Sequence, residues 1–228
     1  MAATPQDVIG FWRLAGPEKW FTKNPKFDDA IALKFEPVHL RAARGEYDAW
    51  AASPEGALAL LILLDQFPRN LYRNSGHAFA TDPKARQIAR TAISAGHDKQ
   101  VEANLRQFFY LPFEHSEDMP DQDHAVALFT ALRDETGDAE GLKWADMHRD
   151  IIVRFGRFPH RNPCLGRTTT PNDSDPHPTT PGTPTTPGRG GPTPTYHPTT
   201  QRHPTTPSPT PTSPTRRTSP SPGGPTTP

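Results

Sequence analysis

An all-α fold is what this sequence predicts. Apolar residues recur at spacings of three and four in one segment after another. No segment alternates apolar and polar residues with period two over a useful length. Cap residues followed by proline, and glycines at segment ends, divide the chain into seven or so helices joined by short turns. Antiparallel helix pairs stacked side by side fit this pattern, although no simple repeat is visible.

Thr4 before Pro5 is an N-cap followed by proline at the first helical position. Val8, Ile9, Phe11 and Trp12 form the stripe of the helix it opens, which ends near Gly16 and Pro17. Glu18–Phe21 is expected to be a turn packing Trp20 and Phe21 inward. Pro25 opens a second helix carrying Phe27, Ile31, Phe35, Val38 and Leu40, with Pro37 as a possible kink and Gly45 as its end. Ser53-Pro54-Glu55 starts a third, 54–66, apolar almost all round, as a central helix is. Pro68 disfavours helical geometry at Phe67, so this helix is expected to stop abruptly. Asp82-Pro83 caps the next, with Gly96 as its stop. A helix over 98–109 is expected to stop before Pro112. Ser116 is expected to cap a helix running through Glu135. The last helix spans about 139–155, with Leu142, Trp144, Ala145, His148, Ile151, Ile152 and Phe155 on its apolar face.

Composition sets the domain boundary. Of 29 prolines, 18 lie at or after Pro171, and from Asn172 onward the only large apolar side chain is Tyr196. Such a segment cannot bury enough apolar surface to offset about 1–2 kcal/mol of backbone entropy per residue. The expectation is a helical domain over 4–171 and a disordered Pro/Thr-rich tail over 172–228. Basic and acidic residues number 25 each, so nothing marks the chain as a general nucleic-acid binder. The longest apolar run, 57–64, is far short of a bilayer span, and the start of the chain has no signal-peptide pattern. A cytoplasmic setting is expected, with neither nucleic acid nor membrane as a partner.

Three polar clusters attach to these apolar helices. The first is Leu64–Arg73, where Asp65 pairs with Arg69 at i,i+4 on a solvated helix end, or the turn at Pro68 aims Arg69, Asn70 and Arg73 into a cleft. The second comes after the aromatic run before Pro112: Glu114, His115, Ser116, Glu117 and Asp118. Glu117 and Asp118 suit the first turn of a helix, whereas capping does not explain Glu114 and His115. The third is 150–162, with Arg154, Arg157, His160 and Arg161, more cations than a helix C-terminus needs. His148 reads as a hydrogen-bonded core histidine. The sequence has no HExxH, GxSxG, Walker or GxGxxG motif, and no metal or other cofactor is expected. The lone Cys164 lies near arginines, but nothing else supports a thiol nucleophile.

At these segments the chain resembles a bacterial family known only as domain of unknown function 924. The matching phrases are LLDQFPRNLYR (63–73), AFATDPKA (78–85), FFYLPFEHSED (108–118) and HRDIIVRFGRFPHRN (148–162), with Phe11, Trp12, Trp20 and Phe21 before them. The resemblance covers about 5–171. It implies an all-helical, tetratricopeptide-repeat-like right-handed array and no established activity. In members of that family the LGR phrase leads into Thr/Ser-Thr-Pro, acidic residues and a short apolar helix. Here 166–171 fits and Asn172 onward does not. The replacement is rich in the residues that an out-of-frame reading of a GC-rich gene gives, so a shifted frame is expected, with a genuine Pro/Thr-rich tail as the alternative.

The functional expectation is a site for an anionic small molecule or an acidic peptide. It is formed by Arg69, Asn70, Arg73, Glu114, His115, Asp118, Arg154, Arg157, His160 and Arg161. One alternative is a hydrolase with Glu114 or His115 as general base and arginines stabilising the developing charge. Another is a purely structural network in which these charges satisfy one another.

Overall fold

A computed structural model describes residues 3–174. The expected disordered tail lies outside the described residues from Asp175 on, and so does most of the segment expected to come from a shifted frame. The described residues are all-α, with no strand among them.

Helix α1 (Pro5–Ala15) begins with a capping box: Thr4 accepts from the Asp7 N–H while Asp7 accepts from the Thr4 N–H. A one-turn helix, α2 (Pro17–Trp20), buries Trp20, whose Nε1–H donates to the Trp12 carbonyl at 2.7 Å. Phe21, expected inward, is 61% exposed. α3 (Pro25–Ala43) passes through Pro37 unbroken, with Phe27, Ile31 and Phe35 buried. His39 is buried on that face, while Leu40 stays 45% exposed.

α4 (Pro54–Leu61) is the centre of the molecule. Residues 57–64 are essentially without solvent exposure, and α4 packs against α1 and against α6 (Asp82–Ser94) and α7 (Ala103–Glu114). Rings from four directions close over one end of the core. Trp12 lies 5.5 Å from Phe67 and 5.6 Å from Phe108, and Phe35 lies 5.0 Å from Phe67. Edge-on and tilted ring pairs of this kind add about 0.5–1.5 kcal/mol each beyond their buried area.

The central helix does not stop at Pro68. Ile62–Gln66 forms one π turn and the chain continues as α5 (Phe67–Leu71). α7 likewise runs through Pro112, which falls in its last turn. It starts at Ala103, after a separate 3₁₀ turn at Asp98–Gln100. α8 (Met119–Thr136) has Asp118, and not Ser116, at its N-cap; the Ser116 hydroxyl instead accepts the Asp118 N–H. α9 (Glu140–Phe155) packs on α8 and α7 from outside. It therefore buries less of its stripe than expected: Ala145 and Ile152 are covered, while Trp144 is 39% exposed. No helix among the described residues is long and apolar enough to cross a membrane.

Gly56 is the tightest contact in the core. A Cβ there would overlap the Trp50 carbonyl oxygen and lie 2.7 Å from its carbon, so the 3₁₀ turn at Asp48–Ala52 could not close against α4. Gly56→Ala is expected to destabilise the domain by about 1–3 kcal/mol, the usual cost of overpacking, read as a lower midpoint in urea unfolding.

Candidate functional site

The π turn places the first group of the site. The Phe67 N–H reaches back to the Ile62 carbonyl, and Pro68 has no N–H to offer. The carbonyls of Leu63 and Leu64 thus lose their helical partners. His39 Nδ1 takes the first at 2.8 Å and the Thr81 hydroxyl the second at 2.5 Å. Asp65, on the same turn, is fully buried. Its Oδ1 lies 2.8 Å from His115 Nδ1 and its Oδ2 accepts from Gln66 Nε2 at 2.6 Å. Burial opposes its charge, but His115 and Arg69 outweigh burial and hold the Asp65 carboxyl below its usual value. Arg69 donates to Asp82 at 2.9 Å and to the Ala78 carbonyl, and its Nη2 lies 3.7 Å from Asp65.

The end of α7 supplies the second group. Glu114 is its last residue and His115 its C-cap. Gln122 of α8 pins this corner, donating to the carbonyls of Glu114 and Ser116 at 2.7 and 2.6 Å. Glu114 faces away from solvent, 2% exposed, with Oε1 2.8 Å from His148 Nδ1 and Oε2 without a partner. His148 Nδ1 also lies 2.9 Å from the Trp144 carbonyl. With two acceptors at Nδ1, that nitrogen carries the proton, and Nε2 is left to the outside. The same holds for His115, whose Nδ1 faces Asp65. The two rings sit 6.4 Å apart, nearly perpendicular. Burial lowers the His148 pKa, and the Glu114 hydrogen bond and charge more than reverse this, raising it above 6.5.

The third group comes after α9. Phe158 is fully buried, and its N–H is fixed by Glu117 at 2.8 Å. Arg161, in the turn Pro159–Arg161, lies between two rings, 4.3 Å from Phe158 and 4.6 Å from Phe79. It donates to the His115 carbonyl at 3.0 Å and lies 4.0 Å from Asp82. Burial and the neighbouring Arg69 push its guanidinium down to about 10. Burial likewise raises the Asp82 carboxyl, against the pull of Arg69.

These groups surround a cleft of about 380 Å³ lined by Lys23, Arg69, Arg73, Asn74, Ala78, Phe79, His115, His148, His160 and Arg161. No lining residue is acidic. The balancing carboxylates, Asp65, Asp82 and Glu114, stand behind the wall, each at most 4% exposed. His160 sits at the exposed rim, where the covered part of its ring, then Arg161 and His148, lower its pKa. Among the described residues no three His, Cys, Asp or Glu side chains converge as metal ligands.

The ten residues singled out from the sequence divide clearly. Arg69, Arg73, His115, His160 and Arg161 line the cleft. Glu114 lies behind it. Arg73 and Asn70 both bond Asp28 of α3, Arg73 through two nitrogens at 2.6 and 2.8 Å. Asp118 is an exposed N-cap. Arg154 is exposed, with its guanidinium 4.8 Å from the Phe155 ring. Arg157 binds Asp173 at 2.6 Å, in the turn Pro171–Ser174, away from the cleft lining. Lys23, Phe79, His148, Asp65 and Asp82 were not singled out. Only Asp65 and His148 carried a usable signal, as polar residues on apolar helical faces.

The Glu114–His148 pair gives a stability signature. A histidine raised in the fold adds stability that is fully present below the unfolded value of 6.5 and is lost as pH rises through the folded value. Wild-type stability is therefore expected to fall across that interval more than Glu114→Gln stability does, in urea melts at matched pH. Equal slopes would show that the pair does not raise His148.

The family described as bacterial protein of unknown function, DUF924, matches residues 8–175. A solved structure of a protein of unknown function, ATU0120 from Agrobacterium tumefaciens, is similar to the chain at 48% identity. The match covers 74% of this chain and 93% of that one, with a TM-score of 0.70. No curated protein matches. A family match over most of the described domain, together with a shared fold at that identity, leads to one conclusion: this chain belongs to the DUF924 family.

Proposed function

We propose that the cleft binds a small molecule carrying a compact anionic group, phosphate before carboxylate. What carries this reading is the sign of the wall: four cations and three imidazoles line the cleft, and no carboxylate does. Its volume of about 380 Å³ falls in the range of small-molecule pockets and favours a metabolite over an acidic peptide. Arginine forks and lysine suit the tetrahedral oxygens of phosphate.

The purely structural alternative accounts for part of the network. Arg73 is matched by Asp28, Arg157 by Asp173 and Arg69 by Asp82. It does not account for Arg161, whose nearest carboxylate is 4.0 Å away and whose guanidinium is pushed down to about 10. An arginine in that state lacks negative charge, and a bound anion would supply it. A cytoplasmic setting belongs to this reading. So does a tetratricopeptide-like stacking of α6 to α9, for which the packing of each of these helices on the next is the support.

Thermal melting with inorganic phosphate tests the reading. An anion at about 100 times its Kd stabilises by about 2.7 kcal/mol, enough to raise the melting temperature by a few degrees. Lys23→Glu, an exposed change at the rim, is expected to abolish most of that shift, whereas Arg157→Ala, outside the cleft, keeps it. The reading fails if phosphate leaves the wild type unmoved or shifts Lys23→Glu equally.

A further inference from the structure

Two of the imidazoles in this cleft are built alike, and anion binding alone does not need that. His115 and His148 each present Nδ1 to a buried carboxylate, Asp65 and Glu114, at 2.8 Å. Each carboxylate comes from a different helix from its histidine or from the turn that ends one. Burying a carboxylate costs several kcal/mol, so two such pairs side by side represent a large investment of stability. Their common effect is to fix the tautomer and orientation of each ring and leave Nε2 for the cleft. A binding site would be served as well by lysines.

We propose that the cleft is a phosphomonoesterase site in which His115 accepts a proton from water and His148 donates one to the departing alcohol. This rests on the anion-binding reading above. The phosphoryl group would lie against Arg69, Arg161 and Lys23, whose charges stabilise the oxygens that gain negative charge in the transition state. Water attacks phosphorus as its proton passes to His115 Nε2. The P–O ester bond breaks, its electron pair goes to the alkoxide oxygen, and that oxygen takes the Nε2 proton of imidazolium His148. The products are an alcohol and inorganic phosphate. Transfer of the proton from His115 back to His148 through solvent restores the site.

The division of roles comes from the surroundings. His148 is faced by Glu114 from α7, by His115, and by Arg161 and His160 from the segment after α9; the Glu114 contact keeps the proton on it. His115 is faced by Asp65, Arg69 and Asp82, with the Arg161 guanidinium on its own carbonyl. The Glu114 contact gives the donor's role to His148, and His115, the other ring whose Nδ1 is held by a buried carboxylate, takes the acceptor's. No serine, threonine or cysteine lines the cleft, so water is the nucleophile this wall provides for. The cleft of about 380 Å³ has room for an alcohol portion the size of a sugar beyond the phosphoryl group.

Phosphate release from p-nitrophenyl phosphate and a panel of sugar phosphates tests this on the full chain. Calorimetric titration with inorganic phosphate on the same samples reports folding and binding separately. The wild type is expected to hydrolyse at least one ester. His115→Gln and His148→Gln should each lose about 10²-fold or more in kcat while their phosphate affinity changes far less. The wild-type rate should be bell-shaped in pH. Glu114 positions His148 and raises its pKa, so Glu114→Gln should move the basic limb to lower pH, a displacement that a merely structural role would not produce. Wild type that binds phosphate but turns over no ester overturns the catalytic proposal and leaves the binding reading standing. So does turnover that survives in both histidine variants. Failure of the wild type to bind inorganic phosphate overturns both.

Discussion

The arrangement of the site depends on one hydrogen bond that cannot form. Pro68 lacks the N–H that the Leu64 carbonyl would take in an uninterrupted helix. In the most buried helix of the molecule, that deficit cannot be met by water. The chain instead widens by one residue over Ile62–Gln66 and accepts two side-chain donors from elsewhere, His39 on Leu63 and Thr81 on Leu64. Leaving either carbonyl bare would cost about 1–3 kcal/mol. The repair therefore ties α3 and the start of α6 to the central helix at the level of Asp65. The extra residue rotates the next turn of helix, which brings Arg69 onto Asp82 and lets Asp65 meet His115. π turns gather at functional positions for this reason: they redirect side chains without ending a helix.

Charge around the cleft is arranged in depth. The carboxylates Asp65, Asp82 and Glu114 are inside, at full or nearly full burial, and the cations stand in front of them at the cleft wall. Buried acids with donors around them hold their partners in place, while their own field toward solvent is largely cancelled by those partners. Of the cations at the wall, Arg69 and Arg73 are matched by Asp82 and Asp28, whereas Arg161 comes no closer than 4.0 Å to a carboxylate. Arg161 is the extreme case. Its guanidinium lies over both Phe79 and Phe158, which gives it cation–π attraction in place of a close carboxylate. Such a side chain loses little entropy on meeting an anion, since its geometry is already set.

Much of the fold could be read in the sequence because its signals are local. Thr4 and Ser53 cap helices through bonds three residues long, and the all-round apolar stretch after Ser53 could only be central. What misled was proline. Pro68 and Pro112 read as stops, yet a π turn absorbs the first and the second sits in a last turn. Exposure of Phe21 and Trp144 was hidden because nothing local says which neighbour is missing. For the site, arginine forks advertised themselves, but their destinations did not. Arg73 finds Asp28 forty-five residues away and Arg157 finds Asp173 sixteen away. Asp65 paired with Arg69 at i,i+4 looked complete, while its closer partner, His115, is fifty residues on.

His148 is the residue whose meaning changes most between sequence and structure. On an apolar stripe, a histidine with a backbone acceptor four residues back, here the Trp144 carbonyl, needs no further explanation. A buried glutamate alters that. Glu114 Oε2 has no hydrogen-bond partner, so the contact of Oε1 with His148 Nδ1 is what answers this buried carboxylate. Asp65 is in the opposite position, with His115 and Gln66 on its two oxygens and Arg69 at 3.7 Å. Two carboxylate–histidine pairs a ring's width apart are thus built unequally. That inequality comes from how many donors each acid has, and it is what would set one imidazole as donor and the other as acceptor toward whatever occupies the cleft.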